Sequence, residues 1–147
     1  MAAERRAEVA WEGDLAHGKG MFNVGSGAMS DMAVTWASRT QRSEGRTSPE
    51  ELLAAAHAAC YAMALSHTLT QQGHPPARLD VTAVVTFEEA DGGFKVGRST
   101  LTVRGRVPGL DEAGFEAAAR QGEQGCPISN ALSNNVEIRV EATLESE

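Results

Sequence analysis

Two cysteines, Cys60 and Cys126, stand 66 positions apart in a chain of 147 residues. An ionised thiol is a strong nucleophile, so these are the first residues to weigh for chemistry. Cys60 lies among alanines, a setting that suits a small packed hydrophobe as well as a nucleophile. Cys126 directly precedes Pro127 and a short helical pattern, which puts its thiol at a helix N-terminus, where unpaired N–H groups favour the thiolate. The Cys-Pro-x-Ser arrangement fits a redox thiol, and a cysteine that only caps a helix is the other reading. Arg39, Arg42 and Arg46 all precede the apolar run that holds Cys60. An arginine beside a cysteine lowers its pKa and stabilises a developing oxyanion, whereas a solvated loop charge does neither. Glu50 is the acid available to hold such an arginine. His57 shares a helix face with Cys60 three residues later, but no third ligand converges with them, so no metal site is expected and His57 reads as a packed, hydrogen-bonded core residue.

The element that must position Cys60 is a helix over about residues 47–69. Ser48 is a good N-cap, Pro49 fits the first helical position, and Glu51 completes a capping box that leaves Glu50 free. From Leu52 to Leu65 the only strongly polar side chain is His57, so the helix should be buried on most sides. It reads as too short to span a bilayer, with Ser66, His67 and Thr68 following closely. Gly73, Pro75 and Pro76 stop it. Glu50 and Cys60 are ten residues apart, about 15 Å along one helix. Serving one site therefore requires a long side chain to bridge them, or pieces meeting across a subunit boundary.

Around this helix the chain reads as strands in runs. Residues 5–12 and 19–25 are two strand patterns, and a third, with Met32, Val34 and Trp36 alternating, is expected to end near Arg39. Residues 40–48 read as a loop. Val81, Ala83, Val85 and Phe87 form one face of a strand, Asp91 and Gly92 make a hairpin turn, and residues 94–107 return. The apolar face of that returning strand switches parity, which predicts a bulge within residues 97–100. Asp111 caps a helix over about residues 112–121, residues 126–132 form a short helix, and residues 136–144 alternate as the cleanest strand. The order βββ–α–ββ–α–α–β favours an α+β fold with antiparallel sheets, in one domain over residues 1–147. With 41% hydrophobic residues and a net charge of −7, a packed core is expected and a nucleic-acid footprint is not. No apolar stretch follows Arg5 and Arg6, so no signal peptide is expected, a cytoplasmic location is the default, and the cysteines read as thiols. A wholly apolar helix in so thin a domain also points to an oligomer interface that would take up alanines, a leucine, Tyr61 and Met63.

The stretches PEELLAAAHAACYAMALS at 49–66 and GCPISNAL at 125–132 resemble the OsmC/Ohr family of cysteine-based hydroperoxide reductases. WEGD at 11–14 with GKG at 18–20, and HAAC at 57–60, resemble its OsmC branch. The resemblance implies a two-layer α+β fold in which two chains interlock as a homodimer around long central helices. It implies Cys60 as the peroxidatic cysteine, Cys126 as the resolving cysteine, Glu50 as the acid and Arg39, in Trp36-Ala37-Ser38-Arg39, as the arginine, with Arg42 its rival. The implied chemistry is attack by Cys60 on an organic hydroperoxide, then a Cys60–Cys126 disulfide reduced by an external dithiol, with no bound cofactor. Met63 and Tyr61, with Phe22 or Met21, would wall the substrate site, and the arginine and Glu50 would depress the Cys60 pKa. A thiol–disulfide exchanger using Cys126 and a non-catalytic small-molecule binding module are the alternatives.

Overall fold

A computed structural model describes residues 1–146. Its elements are β1 (Ala7–Glu12), β2 (Lys19–Val24), β3 (Met32–Val34), α1 (Trp36–Thr40), α2 (Pro49–Gln71), β4 (Arg78–Ala90), β5 (Gly93–Arg106), α3 (Glu112–Gln124), α4 (Pro127–Leu132) and β6 (Glu137–Leu144). The chain divides into two compact units, Met1–Leu52 and Leu53–Glu147.

In the first unit β1, β2 and β3 form an antiparallel sheet, with Val9 opposite Phe22 and Gly20 opposite Val34. The third strand does not run to Arg39. It stops at Val34 because Thr35 and Ser38 form a capping box: the Ser38 N–H donates to Thr35 Oγ1 and the Thr35 N–H donates to Ser38 Oγ, both at 3.0 Å. Two reciprocal side-chain bonds outweigh the weak period-two signal of Met32, Val34 and Trp36. Arg39 therefore stands on the short helix α1. At the start of α2, Ser48 Oγ accepts from the Glu51 N–H at 3.1 Å, as a cap should. The reciprocal bond from Glu51 to the Ser48 backbone is replaced, since the Glu51 carboxylate accepts from the Thr47 hydroxyl at 2.8 Å.

The far end of α2 closes as a Schellman motif. Gly73 takes φ +84°, His74 N–H donates to Leu69 C=O at 2.9 Å, and Gly73 N–H donates to Thr70 C=O at 3.0 Å. In the second unit β4 and β5 form a long hairpin over Asp91 and Gly92, both at positive φ. Thr86 pairs with Arg98 and Phe87 with Val96, so Gly97 is the extra residue of a bulge, at the foreseen switch of parity. The expectation of antiparallel sheets is corrected here, because β6 runs parallel to β5. The connection from β5 to β6 passes through α3 and α4, a crossover long enough to carry the chain back to the same end of the sheet.

The core of this unit joins Tyr61, Leu65 and Leu69 of α2, Leu101 and Val103 of β5, Phe115, Ala118 and Ala119 of α3, and Cys126. Beyond Glu50 in the first turn, the buried residues of α2 recur every four positions, His57, Tyr61, Leu65 and Leu69, so one stripe of the helix faces the core. The helix is therefore not buried on most sides. Ala55, Ala56 and Ala59 are exposed with Met63, while Tyr61 lies fully inside and donates its hydroxyl to Ala119 C=O at 2.9 Å. At 23 residues α2 is long and apolar enough to cross a membrane by length and composition, which overturns the expectation that it is too short. His57 is fully buried as well, with Nδ1 2.7 Å from Ser99 Oγ on β5 and Nε2 2.7 Å from Ser129 Oγ on α4. Burial holds its pKa below the ordinary 6.5.

Two expectations follow from this packing. A Cβ on Gly105 would overlap the fully buried Phe115 ring, which must shift within the packed core to admit it, so Gly105→Ala should lower stability by about 1–3 kcal/mol; the denaturant midpoint at constant m-value measures it. As pH falls below 6.5, the unfolded chain binds a proton at His57 that the folded chain refuses, so the His57 contribution to stability is complete above that pH and is lost on acidification towards the lower folded pKa. Unfolding midpoints between about pH 8 and about pH 5 should show this slope in the parent chain and a flatter one in His57→Gln.

Candidate active site

In the first unit the sequence-predicted acid and arginine meet. Arg39 Nε donates to Glu50 Oε1 at 3.0 Å and to Oε2 at 3.1 Å, and Nη2 donates to Oε1 at 2.7 Å. The Glu50 side chain is 9% exposed and the Arg39 side chain 30%, so the carboxylate is the more deeply buried partner and anchors the guanidinium. The guanidinium carbon also lies 5.9 Å from the Trp36 ring centroid, within cation–π range. A desolvated carboxylate loses far more than a solvated one when its cation is removed, so this pair fixes the arginine's geometry. Arg42 and Arg46 instead line an open cleft with Thr35, Gln41 and Glu44, and Arg46 reaches Glu44 at 3.6 Å.

In the second unit the two thiols meet. Cys60 is half-buried on α2, Cys126 is fully buried as the N-cap of α4, and both are free. Cys60 packs against the buried cluster that holds Cys126, and the Cys126 thiol and the Ile128 backbone N–H both act on the Cys60 thiol. Cys126 Sγ in turn accepts from the Ser129 N–H at 3.5 Å, within range for sulfur. Burial pushes the Cys60 pKa up; the Ile128 N–H opposes this and the Cys126 thiol reinforces it. The expected depression of the Cys60 pKa is thus reversed within this chain. The physical reason is that desolvation is the largest effect on the thiol and the Ile128 N–H does not outweigh it. Burial likewise holds the Tyr61 phenol far above its ordinary range, with Glu123 and Cys126 adding to it.

The structure thus assembles two pairs, Arg39 with Glu50 and Cys60 with Cys126, one pair in each compact unit. Three contributors were missed from the sequence. Ser129 could have been found, because it is the third helical residue after the Cys126 cap, where an orphan N–H points back at the capping atom. The Ile128 N–H follows from the same rule. Ser99 carries no local signal, since it lies in the stretch where the strand's apolar face changes sides. Among the described residues no group of three histidine, cysteine or acidic side chains stands together as a metal site.

Residues 42–141 match the family model described as OsmC-like protein. Peroxiredoxin OsmC of Escherichia coli strain K12 is 36% identical over 146 residues, spanning 99% of this chain and 100% of the relative. The organic hydroperoxide resistance protein OhrA of Bacillus subtilis strain 168 is 34% identical over 113 residues, 76% of this chain and 77% of the relative. Among solved structures, the organic hydroperoxide resistance protein OhrB of Bacillus subtilis superposes with a TM-score of 0.75 at 28% identity, over 94% of this chain and 98% of that one. An OsmC-like protein from Mycoplasma pneumoniae reaches a TM-score of 0.76 at 14% identity, over 99% and 100% of the two chains, a likeness of fold alone. With α+β architecture, paired thiols and near-complete coverage by a relative of 36% identity, this chain belongs to the OsmC-like family.

Proposed function

We propose that the chain, acting as one domain over residues 1–147, is a cysteine-based peroxidase that reduces organic hydroperoxides to alcohols in defence against oxidative stress. The observation that carries this reading is that Cys60 of α2 and Cys126 at the start of α4, both free thiols, neighbour one another in one packed cluster. The Cys60 thiolate attacks the outer peroxide oxygen, the O–O bond breaks, and the alkoxide leaves and takes a proton. Cys60 is left as a sulfenic acid. Cys126 attacks that sulfur, water leaves, and an external dithiol reduces the resulting disulfide. The electrons come from the dithiol, so the cycle calls for no bound cofactor. Cys126 is 0% exposed, which argues against direct exchange with a protein disulfide.

Arg39 supplies the positive charge the cycle needs, and Glu50 holds it. Glu50 precedes Cys60 by about 15 Å of helix rise, so one chain's Arg39–Glu50 pair is better suited to a second chain's Cys60. The reading is therefore a homodimer with a two-fold axis beside the exposed face of α2, where Ala55, Ala56, Ala59 and the 73% exposed Met63 await cover. That cover, with the buried His57 stripe opposite, uses the whole apolar surface of α2 without a membrane. The net charge of −7 fits a cytoplasmic protein with no nucleic-acid partner.

Cys60→Ser should abolish consumption of an alkyl hydroperoxide, and Cys126→Ser should stop after one turnover with a trappable sulfenic acid. Arg39→Ala should slow the reaction about 10²–10³-fold, because it removes a charge needed chiefly in the transition state, with Arg42→Ala close to the parent. The reverse order transfers the role to Arg42. In the dimer the rate of Cys60 alkylation against pH should report a pKa below the ordinary thiol value of about 8.5, rising above it in Arg39→Ala. Sedimentation at low micromolar concentration completes the test, and a folded, active monomer there removes the shared site.

A further inference from the structure

His57 lies outside the peroxide chemistry, yet it is fully buried and has a partner on each ring nitrogen. A neutral imidazole has one N–H donor and one bare acceptor nitrogen, so one serine hydroxyl must accept from the ring while the other donates to it. The two serines sit on different elements. Ser99 belongs to β5, the central strand of its sheet, where it pairs with Val85 of β4 and Ile138 of β6. Ser129 belongs to α4, a helix of six residues that has little length with which to hold its own place. The histidine side chain therefore ties a six-residue helix to the central strand of the sheet.

What α4 carries makes that tie consequential. Ser129 uses its hydroxyl on His57 and its N–H on Cys126 Sγ, at 2.7 and 3.5 Å. The neighbouring Ile128 N–H acts on the Cys60 thiol. His57 itself is one helical turn before Cys60 on α2, so the same helix that holds the attacking thiol also holds the clamp on its partner. Removing the ring would leave two buried hydroxyls without partners, which favours a shift of α4 that brings water to them.

Resting on the peroxidase reading above, we propose that His57 is a positioning residue for disulfide formation, clamping Ser129 of α4 to Ser99 of β5 so that Cys126 is held on the line of attack at Cys60. The step it governs is balanced as written: the Cys60 S–O bond breaks, the Cys60–Cys126 S–S bond forms, and hydroxide leaves with the Cys126 thiol proton as water. The oxidant is the hydroperoxide already consumed. Because displacement at sulfur requires near-linear approach, a shift of about 1 Å in α4 is enough to slow it steeply.

The test separates the two steps in the full-length protein. Rapid mixing with cumene hydroperoxide reads sulfenic acid formation by dimedone trapping and by loss of the first titratable thiol per chain, and loss of the second thiol reads disulfide formation. For His57→Leu the second rate should fall at least about tenfold more than the first, with sulfenic and then sulfinic acid accumulating. His57→Gln retains one donor and one acceptor and should recover most of the second rate. Ser99→Ala cuts the tie at its far end without altering α2 or α4 and should reproduce the His57→Leu ratio, which keeps the test informative if the leucine variant does not fold. Equal slowing of both steps, or an unchanged ratio in folded Ser99→Ala, overturns the proposal. Diamide, which oxidises the thiol pair without any hydroperoxide, is the parallel arm. A parent protein inert to cumene hydroperoxide refutes the peroxidase reading, while the diamide rates of the same variants still decide whether His57 positions Cys126.

Discussion

An imidazole at 0% exposure in the middle of an apolar helix sets the terms for the second half of this molecule. A polar ring can be buried only with its nitrogens bonded, because a donor or acceptor stripped of water and left alone costs about 1–3 kcal/mol. Ser99 and Ser129 meet that demand from β5 and α4, and in doing so they fix the rotation of α2 about its axis. Once His57 faces the sheet, Tyr61, Leu65 and Leu69 must follow on the same stripe, and Cys60 is carried to its edge beside Cys126. A helix apolar on every side has no hydrophobic preference for one rotation over another. A single buried polar side chain supplies it.

The Arg39–Glu50 pair obeys a different rule. Glu50 is nearly buried in the first turn of α2, and Arg39 satisfies it through two nitrogens. The helix dipole favours an acid at that end and the arginine compensates its desolvation, so the pair is held from both sides. The capping box of Thr35 and Ser38 decides where Arg39 starts from, since it turns the chain into α1 before the guanidinium is presented. An arginine on an extended strand would have presented itself on a different side of the backbone.

The thiols answer to desolvation. Within one chain, burial raises the pKa of Cys60, and the single Ile128 N–H does not offset it. A protonated thiol is a poor nucleophile, so a buried cysteine of this kind becomes reactive only when a fixed cation is brought near it. The apolar environment that disfavours the thiolate is also the one in which such a cation acts most strongly.

The sequence by itself determined the elements whose signals are local. The Ser48 cap and Pro49 set the start of α2, Gly73 its end, Asp91 and Gly92 the hairpin, the parity switch the bulge at Gly97, and Cys126 with Pro127 the start of α4. Each depends on residues a few positions apart, so each was legible, as were the two thiols and the Arg39–Glu50 pair as candidates. The tertiary structure decided what depends on contacts between distant residues. The parallel pairing of β6 with β5 follows from the path of α3 and α4, and alternation in β6 reads the same in either direction. The buried side of α2 was invisible because its residues are apolar all round, and the partners of His57 lie 42 and 72 residues away. The direction of the Cys60 pKa was decided there too, because desolvation is a property of the packed core and is not carried by any residue near Cys60 in sequence.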